Sequence, residues 1–197
     1  MSRYAAIVLV TLFITSTAAT AQDREYLRAL EQAQQQRPAA LTAAARLAPA
    51  SEPGTALVIH GRLFDPEGRT PVAGAVVFAY QTDREGLYNA PGSPPHSWRL
   101  RGWTKTGPDG RFVFETIRPG RYPGARIPAH VHLTVFAPGG ERYHAGELQF
   151  ADDEFVPAAD LAESRSAGEF GRVRPVRMEG GAQHVDLQIR IDPRQAF

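Results

Sequence analysis

The sequence contains no cysteine in its 197 residues. Disulfide staples, zinc–thiolate sites, iron–sulfur clusters and cysteine nucleophiles are therefore excluded. An excess of charge of either sign is missing too, because 22 Lys and Arg against 21 Asp and Glu leave a net charge of +1. No basic surplus is available to bind nucleic acid or an anionic membrane. The longest apolar stretch, residues 5–18, falls short of the ~20 residues that span a bilayer comfortably. No stable membrane anchor is expected from it, and without cysteine it cannot become a lipoprotein anchor. What the chain does have is 43% hydrophobic residues, 16 Pro and 18 Gly. That apolar share is too high for a disordered chain, and the length suffices for one domain with a real core. Pro and Gly fall between short apolar runs, which favours an all-β fold with frequent turns.

The first residues read as a targeting segment. Arg3 supplies a positive start, residues 5–18 an apolar run, and Ala19-Thr20-Ala21 the small residues of a cleavage site. A signal peptide over 1–21 is expected, with a mature start near Gln22 and a periplasmic or secreted protein. Residues 22–53 form the next division. Tyr26, Leu27, Leu30 and Ala33 recur at helical spacing and Pro38 breaks the run. The expectation is a short amphipathic helix and a loose, Ala-rich connector. A homo-oligomer built through this arm stays open, since nothing in the sequence selects it.

Residues 54–197 read as one β-sandwich of short, mostly antiparallel strands with long loops. Strand patterns cover 57–63, 72–81, 101–106, 112–117, 129–136, 145–150 and 185–191. Asp65-Pro66-Glu67-Gly68 marks a turn, and Gly107-Pro108-Asp109-Gly110 reads as a tight hairpin turn. The stretches 82–100 and 151–183 show little regular pattern, and loops of that length are usually functional or disordered.

His130-Val131-His132 lies within a strand pattern, where alternate residues share a face and both imidazoles can reach one ion. Alone, the pair fits two solvent-facing histidines on an edge strand better than a metal site. Tyr88 and Tyr122 change the balance, because both stand in turn-rich loops where a core has no evident need of them. A phenol titrates near 10 in water, and a hard trivalent cation can hold it as phenolate near neutrality. Two phenolates and two imidazoles suit iron(III) better than a soft-ligand metal.

Several ordered segments resemble the intradiol ring-cleavage dioxygenases, the group of catechol 1,2-dioxygenase and protocatechuate 3,4-dioxygenase. The carriers are Pro71-Val72-Ala73-Gly74-Ala75, Gly86-Leu87-Tyr88, Arg101-Gly102 and Thr106-Gly107-Pro108-Asp109-Gly110-Arg111-Phe112. The most specific is Thr116-Ile117-Arg118-Pro119-Gly120-Arg121-Tyr122-Pro123 running on to Pro128-Ala129-His130-Val131-His132. The resemblance implies an iron(III) cofactor held by Tyr88 and His130 as lasting ligands and by Tyr122 and His132 as axial ones. It also implies that a catechol displaces Tyr122 and is opened by O₂ between its two hydroxylated carbons.

Two positions depart from the family pattern. Ile127 stands where an Arg is usual, with Arg126 one residue earlier, so Arg126 is the expected catalytic charge stabiliser if a bulge or irregular lead-in re-aims it. Glu147 stands where a Gln is common, and an added carboxylate there is expected to disfavour anionic substrates. Trp98 and Trp103 flank the Tyr88 loop and read as packing, with Trp103 carried as the candidate wall of an aromatic pocket. The competing reading is a non-catalytic, prealbumin-like sandwich that binds a metal or ligand, resting on Gly61-Arg62-Leu63-Phe64-Asp65 and Pro71-Val72-Ala73-Gly74-Ala75. Such a module has no use for Tyr88 and Tyr122 beside His-x-His.

Overall fold

Period-two burial dominates the chain in the computed structural model, which describes residues 17–94 and 96–197. The expected signal peptide over 1–21 falls largely outside those residues. The strands are β1 (Ala44–Arg46), β2 (Ala56–Phe64), β3 (Val76–Gln81), β4 (Leu100–Lys105), β5 (Arg111–Ile117), β6 (His130–Phe136), β7 (Arg142–Phe150), β8 (Val173–Arg174), β9 (Arg177–Glu179) and β10 (Ala182–Arg190). Two α-helices accompany them, α1 (Thr17–Gln35) and α2 (Ala158–Ser166).

The chain divides into a first unit, Met1–Gln36, and a second, Arg37–Phe197. Within the first, α1 contains the helical spacing of Tyr26, Leu27, Leu30 and Ala33. No described helix is long and apolar enough to cross a membrane. The second unit is the expected sandwich. One sheet has the order β1-β5-β2-β10-β9 and the other β4-β3-β6-β7-β8. The β2–β5, β3–β4, β3–β6, β6–β7 and β9–β10 pairs are antiparallel, while β1–β5, β2–β10 and β7–β8 are parallel.

Alternate residues of the two sheets meet in one core. Ile59 and Leu63 of β2, Phe112 and Phe114 of β5 and Val185 and Leu187 of β10 face Val77 and Ala79 of β3, Val131, Leu133 and Val135 of β6 and Leu148 of β7. Each large aliphatic side chain buried this way contributes about 1.5–3 kcal/mol. Because Val131 and Leu133 point inward, His130 and His132 are turned to the outer face of their sheet. Tyr80 and Phe78 on β3 and Trp103 on β4 share that face, being opposite His132, Thr134 and Phe78 in the register.

Three local expectations change. The Asp109-Gly110 turn closes as read, with the Gly110 amide donating to the Gly107 carbonyl at 2.9 Å. It does not join a hairpin, because β4 pairs with β3 and β5 pairs with β2 in the opposite sheet. The turn is a corner between layers, since turn chemistry fixes the local chain reversal and not the sheet that each arm joins. The connector is also less loose than expected. Ala44–Arg46 adds an edge strand to β5, tied by an Arg46–Glu115 ion pair, and Leu47 enters the core. Finally, the irregular 151–183 stretch contains α2, β8 and β9. Away from the second sheet, His60 and His184 hydrogen-bond to each other at 2.9 Å on the first, a pairing the sequence did not announce.

Candidate metal centre

The β3–β6–β7 register builds the floor of the site. Tyr80 lies opposite His132 on one side, and Glu147 lies opposite His132 and Gln149 opposite His130 on the other. The register slips between His132 and Thr134. Gly146, at φ +77°, absorbs the extra residue in the left-handed region that a glycine enters without strain. The bulge sets Glu147 on the histidine face.

Tyr88 is delivered by a turn organised around Asp83. One Asp83 carboxylate oxygen accepts from the amides of Glu85 at 2.9 Å and Leu87 at 3.0 Å, and the other accepts from Arg99 at 3.2 Å. The Asp83 backbone carbonyl accepts from the Gly86 amide at 3.1 Å and the Gly120 amide at 2.8 Å, joining this turn to the loop that carries Tyr122. The two loops touch so closely that a Cβ on Gly86 would sit 1.9 Å from the Arg121 carbonyl oxygen. Thr82 adds a hydrogen bond from its hydroxyl to the Gly120 carbonyl at 2.7 Å. The lead-in to β6 is irregular and is anchored by Asp153, which accepts from the Ala129 amide at 2.9 Å.

With these supports, four side-chain donors converge. The Tyr88 hydroxyl is 2.6 Å from His132 Nε2 and 3.4 Å from His130 Nε2. The Tyr122 hydroxyl is 3.0 Å from His130 Nε2 and hydrogen-bonds to the Tyr88 hydroxyl. The two imidazole Nε2 atoms are 3.1 Å apart. His130 Nδ1 lies 2.8 Å from the Pro128 carbonyl oxygen, which can only accept. That contact fixes the proton on Nδ1 and leaves the Nε2 lone pair facing the cluster. The structure thus brings together all four residues proposed as ligands from the sequence.

Burial governs the protonation of the cluster. Burial pushes the Tyr88 phenol well above its ordinary value, helped by its contact with Tyr122. Burial also raises Tyr122. His132 is held down to about 3, first by burial and then by neighbouring His130. Without a cation all three groups are therefore neutral at pH 7. A multivalent ion reverses this, because its charge supports two phenolates and two imidazole lone pairs at once. Two hard oxygens and two borderline nitrogens fit a trivalent, oxygen-seeking metal.

The neighbouring side chains are placed as follows. Glu147 puts a carboxylate oxygen 3.4 Å from His132 Nδ1 and 4.0 Å from His130 Nε2, and its side chain is 39% exposed. Its carboxylate falls in one cluster with the two histidines. Arg126 comes from the irregular lead-in, so strand alternation does not govern its direction. Its guanidinium lies 4.7 Å over the Phe155 ring, beside Arg121 at 4.2 Å from the same ring. Trp103 packs on Phe78 at 5.1 Å, one register step along the face from Tyr80. Sequence reasoning missed Asp83, Asp153 and Tyr80. For Asp83 a signal existed in the Asp-x-x-Gly spacing just after a strand, whereas Tyr80 is hidden inside an apolar run.

A family model described as Dioxygenase matches residues 31–189. The chain belongs to the intradiol ring-cleavage dioxygenase family. Among curated relatives, catechol 1,2-dioxygenase 2 of Acinetobacter lwoffii is 30% identical over 152 residues, spanning 62% of this chain and 54% of the relative. The 6-chlorohydroxyquinol 1,2-dioxygenase of Cupriavidus pinatubonensis is 36% identical over 104 residues, spanning 45% of this chain and 37% of the relative. Of solved structures, the dioxygenase domain of a dioxygenase–carbohydrate-binding fusion from Streptomyces sp. SirexAA-E superposes with a TM-score of 0.57 at 26% identity, covering 75% of this chain and 86% of that one. The chain spans about half or less of the curated relatives named here. In this intradiol dioxygenase-family chain, the matched region contains every residue of the Tyr/Tyr/His/His cluster.

Proposed function

We propose that the protein is an exported iron(III) dioxygenase that opens catechol-type rings between the two hydroxylated carbons with O₂. The observation that carries this is the convergence of the Tyr88, Tyr122, His130 and His132 donor atoms in a chain of this family. Bound there, iron(III) would supply a Lewis-acidic template that activates a catecholate towards O₂. Tyr88, His130 and His132 would hold the ion. By the family resemblance Tyr122 would be the donor exchanged for substrate, and its phenol, raised by burial, would hold the proton given up by a catechol hydroxyl. Glu147 places negative charge beside His132, which favours neutral over carboxylated catechols. Arg126 is proposed as the charge stabiliser of the bound ring, reached by rotating its side chain off Phe155. Export rests on the sequence of residues 1–21. Intact Met1 on protein retained in the cytosol of an export-competent host would overturn it.

The test of the metal reading is metal analysis and a visible spectrum of protein made with iron available. One iron per chain with a phenolate-to-iron charge-transfer band is expected, and Tyr88→Phe and Tyr122→Phe should each alter that band. Stoichiometric zinc or copper without iron would refute it and return the chain to the binding-module reading.

A further inference from the structure

We infer that Tyr80, Trp98 and Arg101 form a clamp that fixes the ring plane of His132, making them positioning residues of the metal centre. This rests on reading the Tyr/Tyr/His/His cluster as that centre. Among the described residues, His96 at φ +56° and Trp98 at φ +39° are the non-glycine residues with positive φ. The left-handed region is one that bulky L-residues rarely adopt, so the surroundings must enforce it. Arg101 provides the enforcement from β4. Its Nη1 donates to the carbonyl oxygens of Ser97 and of Trp98, the latter at 2.8 Å. The Ser97 hydroxyl ties the same turn to Asn89 Oδ1 at 2.7 Å, and the Arg99 amide donates to the Tyr88 carbonyl at 2.9 Å.

The strained turn drives the Trp98 indole inward until the residue is 2% exposed. There it stacks on Tyr80, with ring centroids 4.2 Å apart and 19° between planes. The other face of Tyr80 stacks on His132 at 4.4 Å and 15°. Tyr80 is directly opposite His132 in the β3–β6 register, so the contact is built into the sheet. Histidine rotation about its outer side-chain bond is soft when nothing opposes it. Here the imidazole cannot turn without breaking a three-ring stack, so its Nε2 stays aimed at the Tyr88 hydroxyl. One loop therefore delivers one ligand, Tyr88, and holds another, His132, in plane. Core packing alone would call for a buried Trp, but not for a left-handed backbone pinned by an arginine.

The test uses the full chain loaded with iron(III), reading the visible charge-transfer band and the rate at which a chelator removes the iron. Tyr80→Leu keeps bulk but loses the stack, and Tyr80→Phe keeps the ring. Phe114→Leu, in the core of the opposite sheet, controls for general loss of stability. Tyr80→Leu and Trp98→Leu should shift the band and lose iron about tenfold faster or more, the scale on which groups that orient metal ligands act. Tyr80→Phe should restore both properties. Phe114→Leu should lower the melting temperature at least as much without moving the band. Should Tyr80→Leu not fold, Arg101→Met gives the same comparison, since it keeps an apolar stem and removes the donor to both carbonyls. Wild-type iron binding combined with an unshifted Tyr80→Leu band and rate would overturn the clamp alone. Wild-type protein that takes up no iron would overturn the metal reading and the clamp with it.

Discussion

Asp83→Ala is the sharpest perturbation of the site that leaves every proposed ligand in place. It removes the acceptor of two backbone amides, Glu85 at 2.9 Å and Leu87 at 3.0 Å, and one ion pair to Arg99. A hydrogen bond to a charged acceptor contributes about 1.5–3 kcal/mol, but Glu85 and Leu87 are exposed and water replaces part of it, so about 1 kcal/mol each is the appropriate scale. Arg99 keeps its bidentate partner Glu52, so losing the Asp83 pair costs no more than about 0.5 kcal/mol. The turn should therefore be weakened by about 2–3 kcal/mol, which lowers its ratio of ordered to disordered forms roughly 30- to 150-fold. Iron affinity should fall by up to that factor, because only the ordered turn offers the Tyr88 oxygen. Competition against a ferric chelator, followed at the charge-transfer band, measures it. Asp83→Asn keeps an acceptor oxygen for both amides and should lose only a few-fold. Wild-type affinity in Asp83→Ala, or equal losses in both variants, would refute the reasoning.

The remaining predictions concern charge. Arg126→Ala should keep iron and colour while lowering kcat/KM on catechol by about 100-fold, the cost of one oriented charge-stabilising donor; unchanged steady-state rates would confine Arg126 to its Phe155 contact. Glu147→Gln should raise kcat/KM for 3,4-dihydroxybenzoate relative to catechol by about tenfold, or ~1.4 kcal/mol, and an unchanged ratio would remove Glu147 from substrate selection. In the metal-free protein, His132 titrates near 3 when folded and near 6.5 when unfolded, so the unfolded chain takes up the proton first as pH falls. Its contribution to stability is complete above about pH 6.5 and declines towards pH 3. Chemical denaturation across that range should show less of this decline in His132→Gln, and an identical pH dependence would contradict the burial argument.

Much of the fold was legible because most of its strands alternate apolar and polar residues along one half-buried face. The quartet was legible because two chemistries that cores do not require, His-x-His and loop tyrosines, recur in one region. What escaped notice has physical reasons. β1 is three residues of Ala-Ala-Arg whose strand state comes from pairing with β5 and not from any propensity of its own. The corner at Gly110 was misread because an Asp-Gly turn encodes a reversal, while the choice of sheet is a long-range matter of which strands complete each edge. α2 carries alanines, acids and an arginine with barely any apolar stripe, so no helical period announced it. Tyr80 sits inside the apolar run of β3, where nothing in the local sequence sets it apart from its neighbours. The direction of Arg126 depends on Phe155, some thirty residues away, and so is not a property of its local sequence.

The Tyr88, Tyr122, His130 and His132 cluster is proposed to open a catechol ring between its hydroxylated carbons. Mass spectrometry of the product formed from catechol by iron-replete protein under isotopically labelled O₂ tests it most directly. The expected product is cis,cis-muconate carrying both atoms of the labelled oxygen. Unchanged catechol, or a semialdehyde from cleavage outside the diol, would contradict it.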